Sequence, residues 1–320
     1  MKFRLARWIT RGLAAVLLVA SLAYVLTQFD WSGIAIALRR AEWLWLLGPG
    51  VLSILGYWWL RALRWGYLLK RLGVSVPLGE LYWCTALSLS LAILTPMQSG
   101  EVLKIELLKR RGALDRLPGY AAFFVERLAD FMVIFSLSLL AALSGVIPVV
   151  PRYSLGALVA SVLVVLGSSA GLLLLAPVRR ALLDVRQYLR ICLLDVWAFA
   201  VLLGLSVLGW LVLALGWQAA IRTVGIALDP LEAIALTASV TLINILSFVP
   251  GAIGVSEFSA ALLLGQWGIA DSAAQTGAIM LRVYALLIMA VGLLHLAGYR
   301  MLHPPMIPEF SVSHDPKNKS

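Results

Sequence analysis

The sequence predicts an all-α polytopic membrane protein in which two of the membrane elements are broken helix pairs. Three observations predict it. Of 320 residues, 62% are hydrophobic and 13% charged, with a mean hydropathy of +0.94, a balance that would give a soluble domain of this size a largely apolar surface. The charges gather in short basic blocks between apolar runs of helix length. Two of those runs are stopped by Pro, Gly and a small polar residue and restart at a Glu: Leu94-Thr95-Pro96-Met97-Gln98-Ser99-Gly100-Glu101 and Phe248-Val249-Pro250-Gly251-Ala252-Ile253-Gly254-Val255-Ser256-Glu257. Proline removes a backbone donor and clashes with the preceding turn, so in hydrocarbon such a break is tolerated only where protein or a watery cavity satisfies the freed groups.

The first apolar run, Gly12 to Thr27, follows a basic start and carries Ala20-Ser21-Leu22-Ala23, which resembles a cleavage site. An uncleaved first helix is expected, because the run approaches the roughly 20 residues a span needs. Further spans are expected over 44–66, 120–145, 153–176, 193–222 and 273–299, with broken elements over 80–111 and 232–268. The arms of the first broken element are each too short to cross, which predicts a re-entrant hairpin. The second is longer and fits either a hairpin or a pair of crossings.

The formal net charge of +10 does not point to nucleic acid, since the cations sit between spans rather than on a soluble face. They give an orientation instead. Lys2, Arg4, Arg7, Arg11, Lys70, Arg71, Lys109, Arg110, Arg111, Arg116, Arg179, Arg180, Arg186, Arg190, Arg300, Lys317 and Lys319 would be cytoplasmic. Only Arg39, Arg40, Arg152 and Arg222 would lie opposite, so both termini are expected inside. Residues 1–303 then form one transmembrane domain, and 304–320 a polar, disordered cytoplasmic tail. Cys84 and Cys192 fall in or beside apolar helices and suggest no disulfide framework. His295, His303 and His314 lack the spacing of a zinc site, and no metal or cofactor is expected.

An internal repeat is legible. Gly73-Val74-Ser75-Val76-Pro77-Leu78-Gly79-Glu80 resembles Gly225-Ile226-Ala227-Leu228-Asp229-Pro230-Leu231-Glu232. Pro96 follows Pro77 by 19 positions and Pro250 follows Pro230 by 20; Arg127 lies 31 after Pro96 and Arg282 lies 32 after Pro250. Repeat 1 spans about 70–145 and repeat 2 about 222–299. With three crossings between their starts the copies would be inverted, as in several transporters with interrupted helices.

Charged residues inside spans carry the functional signal, because each costs about 2.5–3.5 kcal/mol at the bilayer centre and needs a partner or a cavity. Arg61 and Arg64 share a helix face beside Trp58, Trp59 and Trp65. They read either as snorkelling side chains in an aromatic belt or as a fork that grips a lipid phosphate. Glu126, Arg127 and Asp130 form a second cluster, in which Arg127 and Asp130 can pair and Glu126 and Asp130 share a face. Arg282 has no acid nearby on its own helix, and Glu257 or a substrate phosphate is its expected partner. Glu101 and Glu257 each open a half-helix, either as caps or as groups that act on a headgroup. Asn244 is placed to cross-link helices, and Lys104 to put a cation where the first broken element returns to the cytoplasm. Hinges are expected at Pro96, Gly100, Pro250, Gly251 and Gly254. The excess of cations over acids predicts an anionic, phosphate-bearing ligand.

In these residues the chain resembles the membrane-embedded, flippase-like part of the lysylphosphatidylglycerol synthase family. The resemblance rests on Arg61-Ala62-Leu63-Arg64-Trp65, the break Pro96 to Glu101, Glu126-Arg127-Leu128-Ala129-Asp130, the break Pro250 to Glu257, and Arg282, across most of residues 10–300. It implies a multi-pass protein of the bacterial inner membrane that moves a polar lipid between leaflets. Two departures stand out: Met97 follows Pro96 where the family pattern has Gly, and Lys104 holds a place where an Arg is expected. The full-length synthases add a cytoplasmic aminoacyl-transfer domain that this sequence does not contain, so synthase activity is not expected of it. The alternative function is an enzyme or accessory subunit of a prenyl-phosphate glycan pathway, partnered by a lipid-modifying enzyme or glycosyltransferase. No acidic metal site or nucleotide-binding motif supports the enzyme version.

Overall fold

A computed structural model describes residues 2–147 and 195–302, and every element in them is helical. The expected span 153–176, Arg152, Arg179, Arg180, Arg186, Arg190, Cys192, His303, His314, Lys317, Lys319 and the tail 304–320 lie outside the described residues. In chain order the helices are α1 (Lys2–Gln28), α2 (Trp31–Arg39), α3 (Val51–Arg71), α4 (Leu78–Ala92), α5 (Leu103–Arg110), α6 (Arg116–Leu143), α7 (Val196–Arg222), α8 (Pro230–Ser247), α9 (Val255–Gln266) and α10 (Asp271–Leu302).

Among the described residues, four helices are long and apolar enough to cross a membrane: Leu46–Arg71, Val196–Arg222, Pro230–Ser247 and Asp271–Met301. A fifth arises if α1 and α2, bent by 73°, count as one span. The chain is a multi-pass membrane protein. Helix α6 has the length, at 28 residues, but holds Glu126, Arg127 and Asp130 near its middle. The outward surface agrees with a lipid environment, since Leu52 and Leu294 are 70% and 72% exposed. Helix α2 was not expected from the sequence. Asp30 starts it by accepting from the Gly33 amide at 3.0 Å and from the Ser32 hydroxyl at 2.6 Å, an N-cap that lets the chain turn sharply out of α1.

Each expected repeat starts alike. Helices α3 and α7 both run out into glycines of positive φ, Gly73 at 80° and Gly225 at 81°, the left-handed conformation that ends helices at little cost in glycine. Helix α4 then starts behind Pro77, and α8 starts at Pro230 with the Glu232 carboxylate accepting from the Asp229 amide at 2.8 Å.

Both breaks are present where Pro96 and Pro250 predicted them, each as a short 3₁₀ turn, Pro96–Val102 and Pro250–Ala252. Helices α4 and α5 have 15 and 8 residues, both short of a span. In the second broken element α8, at 18 residues, is long enough by itself, whereas α9 has 12. Among the described residues, the non-glycine positive φ angles all fall at the breaks: Gln98 at 56°, Phe248 at 55° and Ala252 at 46°. Such conformations are costly and persist only where surroundings hold them. Gly100 is required for close approach, because a Cβ there would lie 3.0 Å from the Ala92 backbone. The two breaks touch each other: a Cβ on Gly251 would sit 3.3 Å from the Ile93 carbonyl oxygen.

Around them α3, α7 and α10 pack through small residues, as membrane helices do where backbones approach. The Ser53 hydroxyl meets Tyr284 Oη at 2.8 Å and donates to the Gly50 carbonyl at 2.6 Å. Gly216 of α7 leaves the room for this pair, since its Cβ would fall 2.2 Å from both oxygens. Gly216→Ala should therefore cost about 1–3 kcal/mol by overpacking, seen as a lowered unfolding temperature in detergent. Gly209→Ala, whose Cβ would meet Tyr57 at an ordinary 3.6 Å, should leave that temperature nearly unchanged.

Candidate functional site

A buried ion cluster joins α3, the first break, α5 and α6. The i,i+3 spacing turns Arg61 and Arg64 of α3 inward, where they are 2% and 1% exposed. Arg61 Nη2 donates to both oxygens of Glu101 at 2.7 Å, and its Nη1 donates to Asp130. Arg64 donates to Asp130 at 2.5 and 3.0 Å, to Glu126 from Nε and Nη2 at 3.3 Å, and to the Ser206 hydroxyl at 2.7 Å. Lys104 pairs with Glu126 and lies 3.8 Å from Glu101, with its ammonium 4.5 Å from the centre of the Trp65 ring. Arg127 donates to Glu101 at 3.0 Å, to Asp130 at 2.7 Å and to the Gln98 side-chain carbonyl at 3.2 Å. The Trp210 indole of α7 donates to Asp130 at 3.3 Å.

Four cations face three carboxylates here, an excess of one positive charge. Burial of ions repays its desolvation only when the geometry and the extra hydrogen bonds are good. Arg127 is the outlet of the cluster: its side chain is 24% exposed, while those of Arg61, Arg64 and Lys104 are 3% or less.

This geometry corrects three expectations. Arg64 neither snorkels nor offers a free fork, because all five of its N–H donors have protein partners. Arg61 is held by Asp130 and Glu101 through its two Nη groups, with Nε unpartnered, and offers no free fork either. Lys104 is not a free cation at the end of the broken element, since it is fully buried against Glu126. Glu101 opens no helix; it lies inside the 3₁₀ turn and bridges Arg61 and Arg127. The expected pairing of Arg127 with Asp130 and the shared face of Glu126 and Asp130 are both present, the latter through Arg64.

At the second break Arg282 of α10 pairs with Glu257, the partner the sequence offered, and donates to the Gly251 and Ala252 carbonyls at 2.9 and 3.3 Å. Glu257 also caps α9, accepting from the Gly254 amide at 2.8 Å. Asn244 cross-links α8 to α9 by donating to the Ser256 hydroxyl at 3.3 Å. The halves are alike in design: the long helix after each break sends one arginine back to that break and to its Glu. On the periphery, Glu106 of α5 is held below the usual carboxylate range by the hydrogen bonds it accepts from Arg116.

A cavity of about 170 Å³ lies between the two breaks, bordered by Thr95 and Gln98 of the first and by Gly251, Ala252 and Ser256 of the second. Arg282 borders it directly. Gln98 and Trp210 connect it to the ion cluster, for each lines the cavity and bonds a member of the cluster. These two, with Ser206 and Tyr284, were not singled out in the sequence. A Trp and a Ser on the apolar run of α7 gave a weak signal, and Gln98 gave one by its place inside a break.

With this geometry in hand, the decisive comparison is with protein families: residues 12–292 match the family described as the lysylphosphatidylglycerol synthase TM region. The chain belongs to that family. The match runs from α1 into α10 and covers both breaks, the ion cluster and the cavity. No curated protein matches the chain. In this family member the three carboxylates are outnumbered, so the site should tolerate loss of a cation better than loss of an acid. Asp130→Asn should cost about 3–5 kcal/mol, the range for breaking a buried ion pair, read as loss of folded yield and of thermal stability in detergent. Arg127→Gln, which leaves three cations on three carboxylates, should cost less than half of that by the same measurement.

Proposed function

We propose that this protein moves a phosphate-bearing polar lipid between the leaflets of the bacterial inner membrane. The observation that carries the reading is the cavity framed by both breaks, with Arg282 on its wall and Arg127 joined to it through Gln98. Backbone that departs from regular helix at membrane depth is stable where it lines a polar cavity, and transporter sites are built at such discontinuous helices. The headgroup would enter the cavity while the acyl or prenyl tails stay in the bilayer.

The surplus positive charge of the cluster and the free donors of Arg282 supply the attraction for phosphate. Arg282 uses three of its five N–H groups on protein acceptors and so retains two for a ligand. The two repeats would be inverted, with both termini cytoplasmic, so that Arg127 and the first break serve the cytoplasmic leaflet and Arg282 and the second break the outer one. Exchange would be a rocking of the repeats, a reading supported by the positive φ of Gln98, Phe248 and Ala252 at the breaks. Each arginine would grip the headgroup mainly in its own state, since a ligand shifts such an equilibrium only through differential contacts.

Reconstitution in liposomes with labelled lipids tests this. The protein should accelerate leaflet exchange of a phosphate-bearing lipid, and Arg127→Gln or Arg282→Gln should slow it about tenfold or more while the protein stays folded and inserted. Full transfer with both arginines neutralised would remove the groove's anchors, and loss of folded protein in step with transfer would assign them a structural role.

A further inference from the structure

The ion cluster carries one positive charge more than it can cancel, with Arg61, Arg64, Arg127 and Lys104 set against Glu101, Glu126 and Asp130. An uncompensated charge shut away from water is costly. Two events can remove it: an anion arrives, or a proton leaves. Arginine keeps its proton at any pH a protein meets, so three of the four cations are permanent. Protonation of a carboxylate would enlarge the excess. Lys104 is therefore the one member of the cluster whose charge can change in the balancing direction.

Lys104 is also the cation the cluster holds with the fewest bonds. Arg64 has partners for all five of its donors, whereas the Lys104 ammonium makes one hydrogen bond, to Glu126. The rest of it faces rings, with the centres of Trp65 and Phe123 at 4.5 and 5.8 Å, and the residue is 0% exposed. A neutral amine keeps the bond to Glu126, because it still donates, and leaves three guanidiniums on three carboxylates. The other groups around α5 do not hold the proton in place. Helix α4 brings the buried Cys84 into the same core, while its Glu80 pairs with Arg111 at 3.5 Å, and Glu106 of α5 accepts from Arg116 at the surface.

Glu101 connects this proton to the cavity. It lies 3.8 Å from Lys104 and accepts from Arg127 at 3.0 Å, and Arg127 donates at 3.2 Å to Gln98, which lines the cavity. While Lys104 is charged, Glu101 is divided among Arg61, Arg127 and Lys104, and Arg127 has attraction to spare for a second anion. Once Lys104 is neutral, Glu101 belongs to the two guanidiniums and the cluster has no net charge to offer. Taking the lipid-transfer reading as its basis, we propose that Lys104 is a proton-coupling site: the cluster takes up a proton there as an anionic phospho-headgroup binds, and gives it up as the headgroup leaves. Linkage is reciprocal, so the proton raises affinity for the headgroup by the factor by which the headgroup raises affinity for the proton.

Binding of phosphatidylglycerol, whose phosphodiester stays a monoanion throughout, to the purified full chain in detergent tests this between about pH 6 and about pH 9, below the ordinary lysine value of about 10.4. Rising pH removes the proton and with it the attraction, so affinity should fall about fivefold or more, the usual size of coupling between linked sites. Lys104→Arg, always charged, should keep the acid-side affinity across the range. Lys104→Gln, never charged, should show the weak affinity at every pH. Where a variant does not fold, the unmodified chain in weakly buffered solution at about pH 8 should take up as much as about one proton per lipid bound. Affinity that is flat across the range with no proton uptake, or a pH dependence that survives in Lys104→Arg, overturns the proposal. Proton-linked binding without leaflet exchange in liposomes would count against lipid transfer and leave the proton site standing, and leaflet exchange with flat binding would do the reverse.

Discussion

Asp130 is the fixed point of this membrane protein. Its two oxygens accept from Arg61, Arg64, Arg127 and Trp210, which ties α3, α6 and α7 together around a buried carboxylate. A lone carboxylate in that position would be neutral or would unfold the bundle. Paired with guanidiniums, it becomes a joint whose partners in turn hold Glu101 and, through Glu101, the first break. The irregular backbone from Pro96 to Val102 is thus held by charge, and the irregular backbone of the second break by Arg282 and the Glu257 cap.

The two halves reach the same end by different balances. Arg282 and Glu257 cancel, whereas the first half carries four cations against three carboxylates, and only Arg127 among them is open to the outside of the cluster. The aromatic side chains of α3 and α7 separate this charge from the cavity: Trp210 bonds Asp130, and the Arg61 guanidinium stands 5.7 Å from the Tyr57 ring centre. The cavity consequently has Arg282 on one side and aromatic and neutral polar side chains on the others.

Much of the fold was legible because membrane helices declare themselves by length. The run 44–66 became Leu46–Arg71 once Pro49 was absorbed in a wide turn, and 273–299 became Asp271–Leu302. The breaks were legible because Pro and Gly act on the backbone locally, and Gly73 and Gly225 have the positive φ that their matching places suggest. The bend at Asp30 was missed, since it depends on one cap between two apolar segments. Site chemistry was harder. The sequence showed that Arg61, Arg64, Arg127 and Lys104 needed partners, but i,i+3 and i,i+4 rules reach only along one helix, so Glu101 and Glu126 were not assigned to the arginines of α3. Counting cations against acids by helix therefore overstated the free positive charge. Glu257 stood with a substrate phosphate as the candidate partner of Arg282, because that half has so few charges to choose from, and the pair is present.

The central claim is that the lipid headgroup passes through the cavity where the two breaks meet. The most direct test places a single cysteine at Ser256, on the cavity wall, in a protein with Cys84 and Cys192 replaced by serine, and treats it with a small methanethiosulfonate reagent after reconstitution. The account predicts that mass spectrometry will show the thiol modified and that lipid transfer by the modified protein will fall about tenfold or more, with full recovery on reduction. A cysteine that reacts fully while transfer continues at its original rate would contradict it.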